Sequence, residues 1–136
     1  MDIEQVIENQ RESLELFLAE KSGDFPYLRG GYISTVDGHA LAHFTSQNDD
    51  PLRISAMCGS LFALAETLTD ELSGQDCRHI AIQSASGPIV LVRVPDKTQQ
   101  FVMSAVADLK APLGGLLSWV NEVSREVAAT LDEGEV

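Results

Sequence analysis

Apolar residues recur with a helical period in three parts of the chain. Residues 2–21, 51–72 and about 111–131 each follow this spacing. The first helix carries the apolar stripe Ile3, Val6, Ile7, Leu14, Phe17 and Leu18. The last carries the stripe Leu113, Leu116, Leu117, Val120, Val123, Val127 and Leu131. The pattern therefore predicts an amphipathic helix near each end of the chain and a third helix in its middle.

Five shorter segments between these helices are rich in β-branched and apolar residues. Residues 31–36 and 39–44 are joined by Asp37-Gly38, a strong signal for a two-residue hairpin. Three further segments follow the second helix, separated by short turns, and predict a meander: residues 78–84, 88–94 and 99–107.

Two strands of this meander are apolar on both of their alternating faces, with Val90, Leu91 and Val92 in one and Phe101 to Met103 in the other. A strand of this kind needs cover on both sides. We therefore expect an α+β fold, a single α/β sandwich domain with a five-stranded, mainly antiparallel sheet and helices on both faces. The single domain spans residues 1–136, with a core at about 28–130, the N-terminal helix 2–21 and an acidic, frayed tail at 132–136.

The composition and charge of the chain exclude two classes of partner. The 136-residue chain has 44% hydrophobic residues and a formal net charge of −12, with 21 acidic against 9 basic side chains. Nucleic acids and anionic membrane surfaces both require a basic footprint, so neither is an expected partner. The acidic N-terminus and the absence of a long apolar run predict no export signal, no membrane insertion and a cytoplasmic protein.

Motifs that carry chemistry are scarce. The sequence contains no phosphate-binding loop and no dinucleotide fingerprint. His39 and His43 are four residues apart in a predicted strand, and Cys77 or His79 in another strand is a conceivable third metal ligand. The spacing is not that of a metal motif, so we interpret these residues as surface or edge positions. We therefore expect no enzyme activity, no catalytic residues, no cofactor and no metal.

The second helix is unusual on two of its sides. A broad apolar face is expected to pack on the sheet and contains Ile54, Met57, Cys58, Leu61, Leu64, Ala65, Leu68 and Leu72. The opposite side carries small residues where Lys, Glu and Gln are usual: Ala56, Gly59, Ser60, Ala63 and Thr67. A stripe of small residues allows another helix to approach closely, although alanine and serine also occur as neutral surface residues. Gly59 in mid-helix costs about 1 kcal/mol relative to alanine.

Phe62 lies on the flank between these two faces and is expected to be partly exposed, as an anchor beside the small residues. Glu66 and Asp70 follow along the same flank and favour a partner with a basic patch. The predicted dimer or partner interface therefore consists of Ala56, Gly59, Ser60, Phe62, Ala63, Glu66, Thr67 and Asp70.

The order of elements and several local patterns resemble the roadblock family, of the dynein light-chain type, including its bacterial members. The resemblance covers roughly residues 28–130. The stretches that carry it are Gly31-Tyr-Ile-Ser-Thr-Val-Asp-Gly-His-Ala-Leu41, Ile54-Ser-Ala-Met-Cys-Gly-Ser-Leu-Phe-Ala-Leu64, Gly87-Pro-Ile-Val-Leu-Val-Arg93 and Leu113-Gly-Gly-Leu-Leu117. The chain departs from the family pattern at Pro88 and in the loop 110–112.

The resemblance implies a homodimer or heterodimer built on a shared sheet, with the second helices side by side. It also implies a signalling role, in which the protein binds a small Ras-like GTPase through the second helix and modulates its nucleotide cycle. Two alternatives stay open: a purely structural subunit of a larger assembly, and a small-ligand or metal-binding sensor that uses His39 and His43.

Overall fold

The structure of the protein, a computed structural model, describes residues 3–46 and 48–134. Within these residues the elements follow the predicted order, and their bounds lie within three residues of the predicted ones. They are α1 Ile3–Ser22, β1 Leu28–Thr35, β2 Ala40–Thr45, α2 Pro51–Ser73, β3 His79–Ser84, β4 Gly87–Arg93, β5 Phe101–Ala107 and α3 Leu113–Gly134. The predicted α+β fold class is confirmed.

The five strands form one sheet in the order β2-β1-β5-β4-β3, and all neighbouring strands are antiparallel. The predicted hairpin joins β1 and β2, and Gly38 in its turn has a φ of 92° that favours glycine. The pairing then steps from Ile33 opposite Ala42 to Ser34 opposite Ala40. Leu41 is therefore the extra residue of a β-bulge in β2. The two edges of the sheet are β2 and β3.

The helices are divided between the two faces of the sheet, as the strand pattern predicts. On one face, α1 packs on β2 and α3 packs on β4 and β5; on the other, α2 lies mainly over β1, β2 and β5. Val90 and Val92 of β4 and Val94 directly after it belong to the core under α1 and α3, whereas Leu91 of β4 belongs to the smaller core under α2. Alternate residues of one strand thus contribute to two separate cores.

The contact between α1 and α3 closes the larger core. Leu14 and Leu18 of α1 are fully buried there. The indole Nε1 of Trp119 donates a hydrogen bond of 3.1 Å to the carbonyl oxygen of Lys21, and the Lys21 Nζ lies 3.4 Å from a carboxylate oxygen of Glu126. The end of α1 is therefore fixed to α3 by polar as well as apolar contacts.

Some sequence-based expectations fall on the chain ends. The side chains of Ile3, Val6 and Ile7 lie outside the described part of the structure, so their place on the α1 stripe stays a prediction. The tail was expected to fray from residue 132, but α3 continues through Gly134, and residues 135–136 lie outside the described range. Of the helices described, none has the length and apolar content needed to cross a membrane.

Candidate functional site

The second helix has well-defined ends. The carboxylate of Asp50 accepts a hydrogen bond of 3.2 Å from the backbone N–H of Leu52, and Pro51 occupies the first helical turn, where it costs no hydrogen bond. At the other end, Gly74 adopts a left-handed φ of 68°, and its N–H donates to the carbonyl of Asp70. These signals, all visible in the sequence, explain why α2 begins and ends as predicted.

The face of α2 that meets the sheet is formed by Ser55, Gly59 and Phe62. A Cβ atom on Gly59 would lie only 2.8 Å from the Cα and N of Gly38, so the helix touches the β1–β2 turn at this point. Phe62 is 1% exposed and packs with Leu91 and Val102. The small residue at position 59 therefore serves the close approach of α2 to its own sheet.

The predicted orientation of α2 is wrong. The apolar face that was expected to pack on the sheet is largely exposed: Leu64 is 69%, Leu68 59% and Leu72 78% accessible. Phe62, which was expected to be partly exposed, is a core residue, and Gly59 is buried with it. The physical reason is the small size of Gly59, which lets α2 come close to the turn at Gly38. At this short distance the ring of Phe62, on the same side of the helix, fills the space above β4 and β5.

The leucines and Met57 form a continuous apolar row on the outer surface of α2. We call this row the leucine stripe; it consists of Met57, Leu61, Leu64, Leu68 and Leu72. The helical pattern of the sequence predicts that these residues lie in the core. One signal in the sequence points to their exposure. Apolar residues occur on two sides of this helix, and only one of these sides can face the sheet.

The remaining predicted interface residues lie elsewhere on the helix. We call the exposed ones the small flank; they are Ala56, Ser60, Ala63, Thr67 and Asp70. Glu66 is half-buried, and its carboxylate lies 2.8 Å from the guanidinium of Arg93 on β4. The same guanidinium stands 5.4 Å from the centre of the Phe62 ring. Glu66 is thus part of the packing between α2 and the sheet, whereas Asp70 is free to face a partner.

A groove of about 470 Å³ separates the N-terminal half of α2 from the strands near the β3 edge. Its walls are mostly apolar and include Ile54, Met57 and Leu61 of α2 and Ile82, Ile89 and Leu91 of the sheet. Because α2 lies over the other half of the sheet, this surface has no cover from the described part of the chain. The groove is continuous with the leucine stripe through Met57 and Leu61.

Tyr32 and Cys58 line the groove together with the charged side chains of Arg29 and Asp49. The hydroxyl of Tyr32 donates a 2.7 Å hydrogen bond to Asp49, and burial together with this bond raises the pKa of Tyr32 to about 12. The Cys58 thiol lies 3.4 Å from the hydroxyl of Ser104, and burial raises the pKa of this thiol. Tyr32 and Cys58 therefore carry no charge at neutral pH.

The β3 strand borders the groove and presents an open edge. It pairs with β4 on one side, and no strand of the described chain pairs with the other side. Ile80 and Ile82 point toward the α2 side and are only half-buried, while His79, Ala81 and Gln83 are exposed. Unpaired N–H and C=O groups beside half-buried isoleucines make this edge a template for another strand.

The histidines do not converge on a metal site. His39 lies in the hairpin turn with its Nε2 3.5 Å from Asp37, and His43 lies on β2 with its Nδ1 3.2 Å from Glu15. Cys77 and His79 lie at the β3 edge, on the opposite side of the sheet from β2. Among the residues described, no group of three or more His, Cys, Asp or Glu side chains is placed to hold a metal ion.

Comparisons with known proteins identify the family of the chain and other proteins with its fold. The model of the Roadblock/LC7 domain matches residues 16–104. No curated protein shows significant similarity in sequence. Among solved structures, MglB with a tetrameric arrangement superimposes with a TM-score of 0.75 at 18% identity and covers 86% of both chains. The gliding protein MglB of Thermus thermophilus gives 0.73 at 18% identity, over 85% of this chain and 86% of that one. A Roadblock/LC7 domain of Streptomyces avermitilis gives 0.69 at 15% identity, over 78% and 87%.

Proposed function

Because the chain belongs to the Roadblock/LC7 domain family, we propose that it is a non-catalytic, dimeric regulator or adaptor of a small Ras-like GTPase. The observation that carries the proposal is the leucine stripe of α2 beside the open edge of β3. A monomer with this surface would leave a continuous apolar patch in water, which soluble proteins rarely do outside interaction sites.

The proposed dimer places two copies of this surface against each other around a two-fold axis. The β3 edges pair antiparallel and join the two sheets, and the α2 helices lie side by side on one face. A two-fold interface of this kind requires a self-complementary surface, and both an antiparallel strand edge and a row of leucines meet that requirement. The leucines of one copy would cover the groove of the other.

The dimer is tested by a single charge in the stripe. Leu64→Glu puts a carboxylate into the proposed apolar contact and should convert the dimer to a monomer at micromolar concentration, measured by light scattering after size-exclusion chromatography. Leu16→Glu is the matched control, because Leu16 is 67% exposed on α1, away from α2. Monomeric wild-type protein, or a Leu64→Glu variant of unchanged mass, would contradict the proposed dimer.

The GTPase is proposed to dock on the small flank of α2, since the leucine stripe is occupied in the dimer. Small side chains there allow a partner helix or loop to approach closely, and Asp70 adds negative charge to an already acidic protein of net charge −12. Ala63→Arg should weaken binding of the GTPase by about tenfold or more and leave the dimer mass unchanged.

The regulatory role is tested with a purified Ras-like GTPase from the same organism. The protein alone should neither bind nor hydrolyse GTP, and its addition should change the rate of hydrolysis or of nucleotide exchange by the partner. Binding without any change in either rate would favour the alternative of a structural subunit. Stoichiometric metal in the purified protein would instead favour the metal-sensor alternative. The cytoplasmic location stays a prediction, to be read from cell fractionation.

A further inference from the structure

The outer edge of β2 is covered by α1, in contrast to the open edge of β3. The Nε of Arg11 donates a hydrogen bond of 2.8 Å to the carbonyl oxygen of Leu41, and a second guanidinium nitrogen lies 3.3 Å from the carbonyl of Ala40. The backbone N–H of His43 donates a 3.1 Å hydrogen bond to the carboxylate of Glu15. Two side chains one helical turn apart therefore satisfy both kinds of backbone group along this edge.

These two side chains take the place of a neighbouring strand. An incoming strand would donate an N–H to the Leu41 carbonyl and accept from the His43 N–H, two residues further on. The guanidinium of Arg11 supplies the donor and the carboxylate of Glu15 the acceptor. Charged side chains, a bulge at Leu41 and cover by a helix are all devices that keep edge strands from pairing with other chains.

We infer that β2 is a latent strand-pairing edge for a second copy of this chain, which α1 keeps closed through Arg11 and Glu15. The occupant follows from the symmetry of the exposed groups. When two β2 strands run antiparallel with Ala42 opposite Ala42, the His43 N–H of each copy meets the Leu41 carbonyl of the other. The edge is therefore complementary to itself, as a two-fold contact requires.

This edge lies at the opposite end of the strand order from β3, so pairing through β2 does not depend on the proposed dimer. If the β3 dimer exists, pairing through β2 would join dimers into tetramers and longer rows. If it does not, pairing through β2 would turn monomers into dimers. In both cases the measured quantity is the mass of a variant relative to that of the wild-type protein.

The test removes the hydrogen bonds that hold α1 on the β2 edge, so that the helix can move away from this edge. Arg11→Met/Glu15→Leu keeps side chains of similar length but has no donor or acceptor for β2, and we expect assemblies of at least twice the wild-type mass at equal concentration. The matched control is Arg11→Lys/Glu15→Gln, which retains one donor and one acceptor and should keep the wild-type mass. Analytical ultracentrifugation over a concentration series gives the masses.

A third substitution shows which edge is used. His43→Pro removes the backbone N–H that the β2 contact needs. Proline is tolerated at such a position, because this N–H points away from β1 at the edge of the sheet. Added to Arg11→Met/Glu15→Leu, it should restore the wild-type mass, whereas growth through β3 would be unaffected. Circular dichroism checks that each variant is folded. If the double variant fails to fold, the single variants Arg11→Met and Glu15→Leu decide. An unchanged mass in the folded variants, or larger assemblies that persist with His43→Pro, would overturn the inference.

Discussion

At the scale of single residues, Gly59 shows how a close contact fixes the place of a helix. Its missing side chain lets α2 touch the turn at Gly38, where a Cβ atom would come within 2.8 Å of backbone atoms. Gly59→Ala should therefore lower the free energy of unfolding by about 2 kcal/mol, because backbone must move to accommodate the methyl group. Urea unfolding measures this, with Gly114→Ala as control, since a Cβ at Gly114 meets no atom within 4 Å. Equal stability of the two variants would contradict the described contact.

Tyr32 makes the stability of the protein depend on pH in the alkaline range. Burial, and then the hydrogen bond to Asp49, hold its pKa at about 12 instead of 10.0, so the folded protein keeps the phenolic proton more tightly than the unfolded chain. The resulting stability is fully present below pH 10 and is lost as the pH rises toward 12. Between pH 9 and pH 11 the free energy of unfolding, measured with urea, should fall by about 1 kcal/mol more in the wild-type protein than in Tyr32→Phe. In the control Tyr27→Phe, at an exposed tyrosine, it should fall by as much as in the wild-type protein.

At the scale of elements, the sequence predicts the order and bounds of the helices and strands well. The Asp50-Pro51 start, the Gly74 stop and the Asp37-Gly38 turn are local signals, and the structure uses each of them. The orientation of α2 could not be predicted in the same way, because both the leucines and Phe62 are apolar. Which of them faces the sheet depends on the distance between α2 and the turn at Gly38, a contact between residues far apart in the sequence.

The ion pair between α2 and β4 gives a prediction at this scale. Glu66 and Arg93 are 2.8 Å apart, with side chains that are 23% and 30% exposed. Glu66→Lys would place two cations together and should destabilise the fold by roughly 1–2 kcal/mol. Asp70→Lys makes the same change of charge one turn further on, at an exposed position, and should change the free energy of unfolding by less than about 0.5 kcal/mol. Urea unfolding of both variants measures the difference.

Asp70→Lys also tests the charge of the proposed GTPase contact. With a basic patch on the partner, the substitution should slow association of the partner, measured by stopped-flow mixing at low salt.

At the scale of the whole molecule, the two edges of the sheet differ in whether another part of the chain covers them. One is covered by α1, and the other lies open beside the leucine stripe. If assembly through the open side stabilises the folded state, the midpoint of thermal unfolding should rise with protein concentration. A hundredfold increase should raise it by several degrees in the wild-type protein and leave it constant in Leu64→Glu. Calorimetry at a fixed scan rate measures this, and a constant midpoint in both proteins would contradict a dimer-linked fold.

The position of Trp119 has a practical consequence. It is the sole tryptophan of the chain, it is 7% exposed, and its indole donates to the carbonyl of Lys21 at the end of α1. Tryptophan fluorescence therefore reports on one place, the junction of α1 and α3. Detachment of α1 would bring water to the indole and shift its emission to longer wavelength. Contacts made by α2 and by the open edge of β3, away from this junction, would leave the emission unchanged. The fluorescence of Trp119 can therefore distinguish release of α1 from assembly through α2 and β3 without any label.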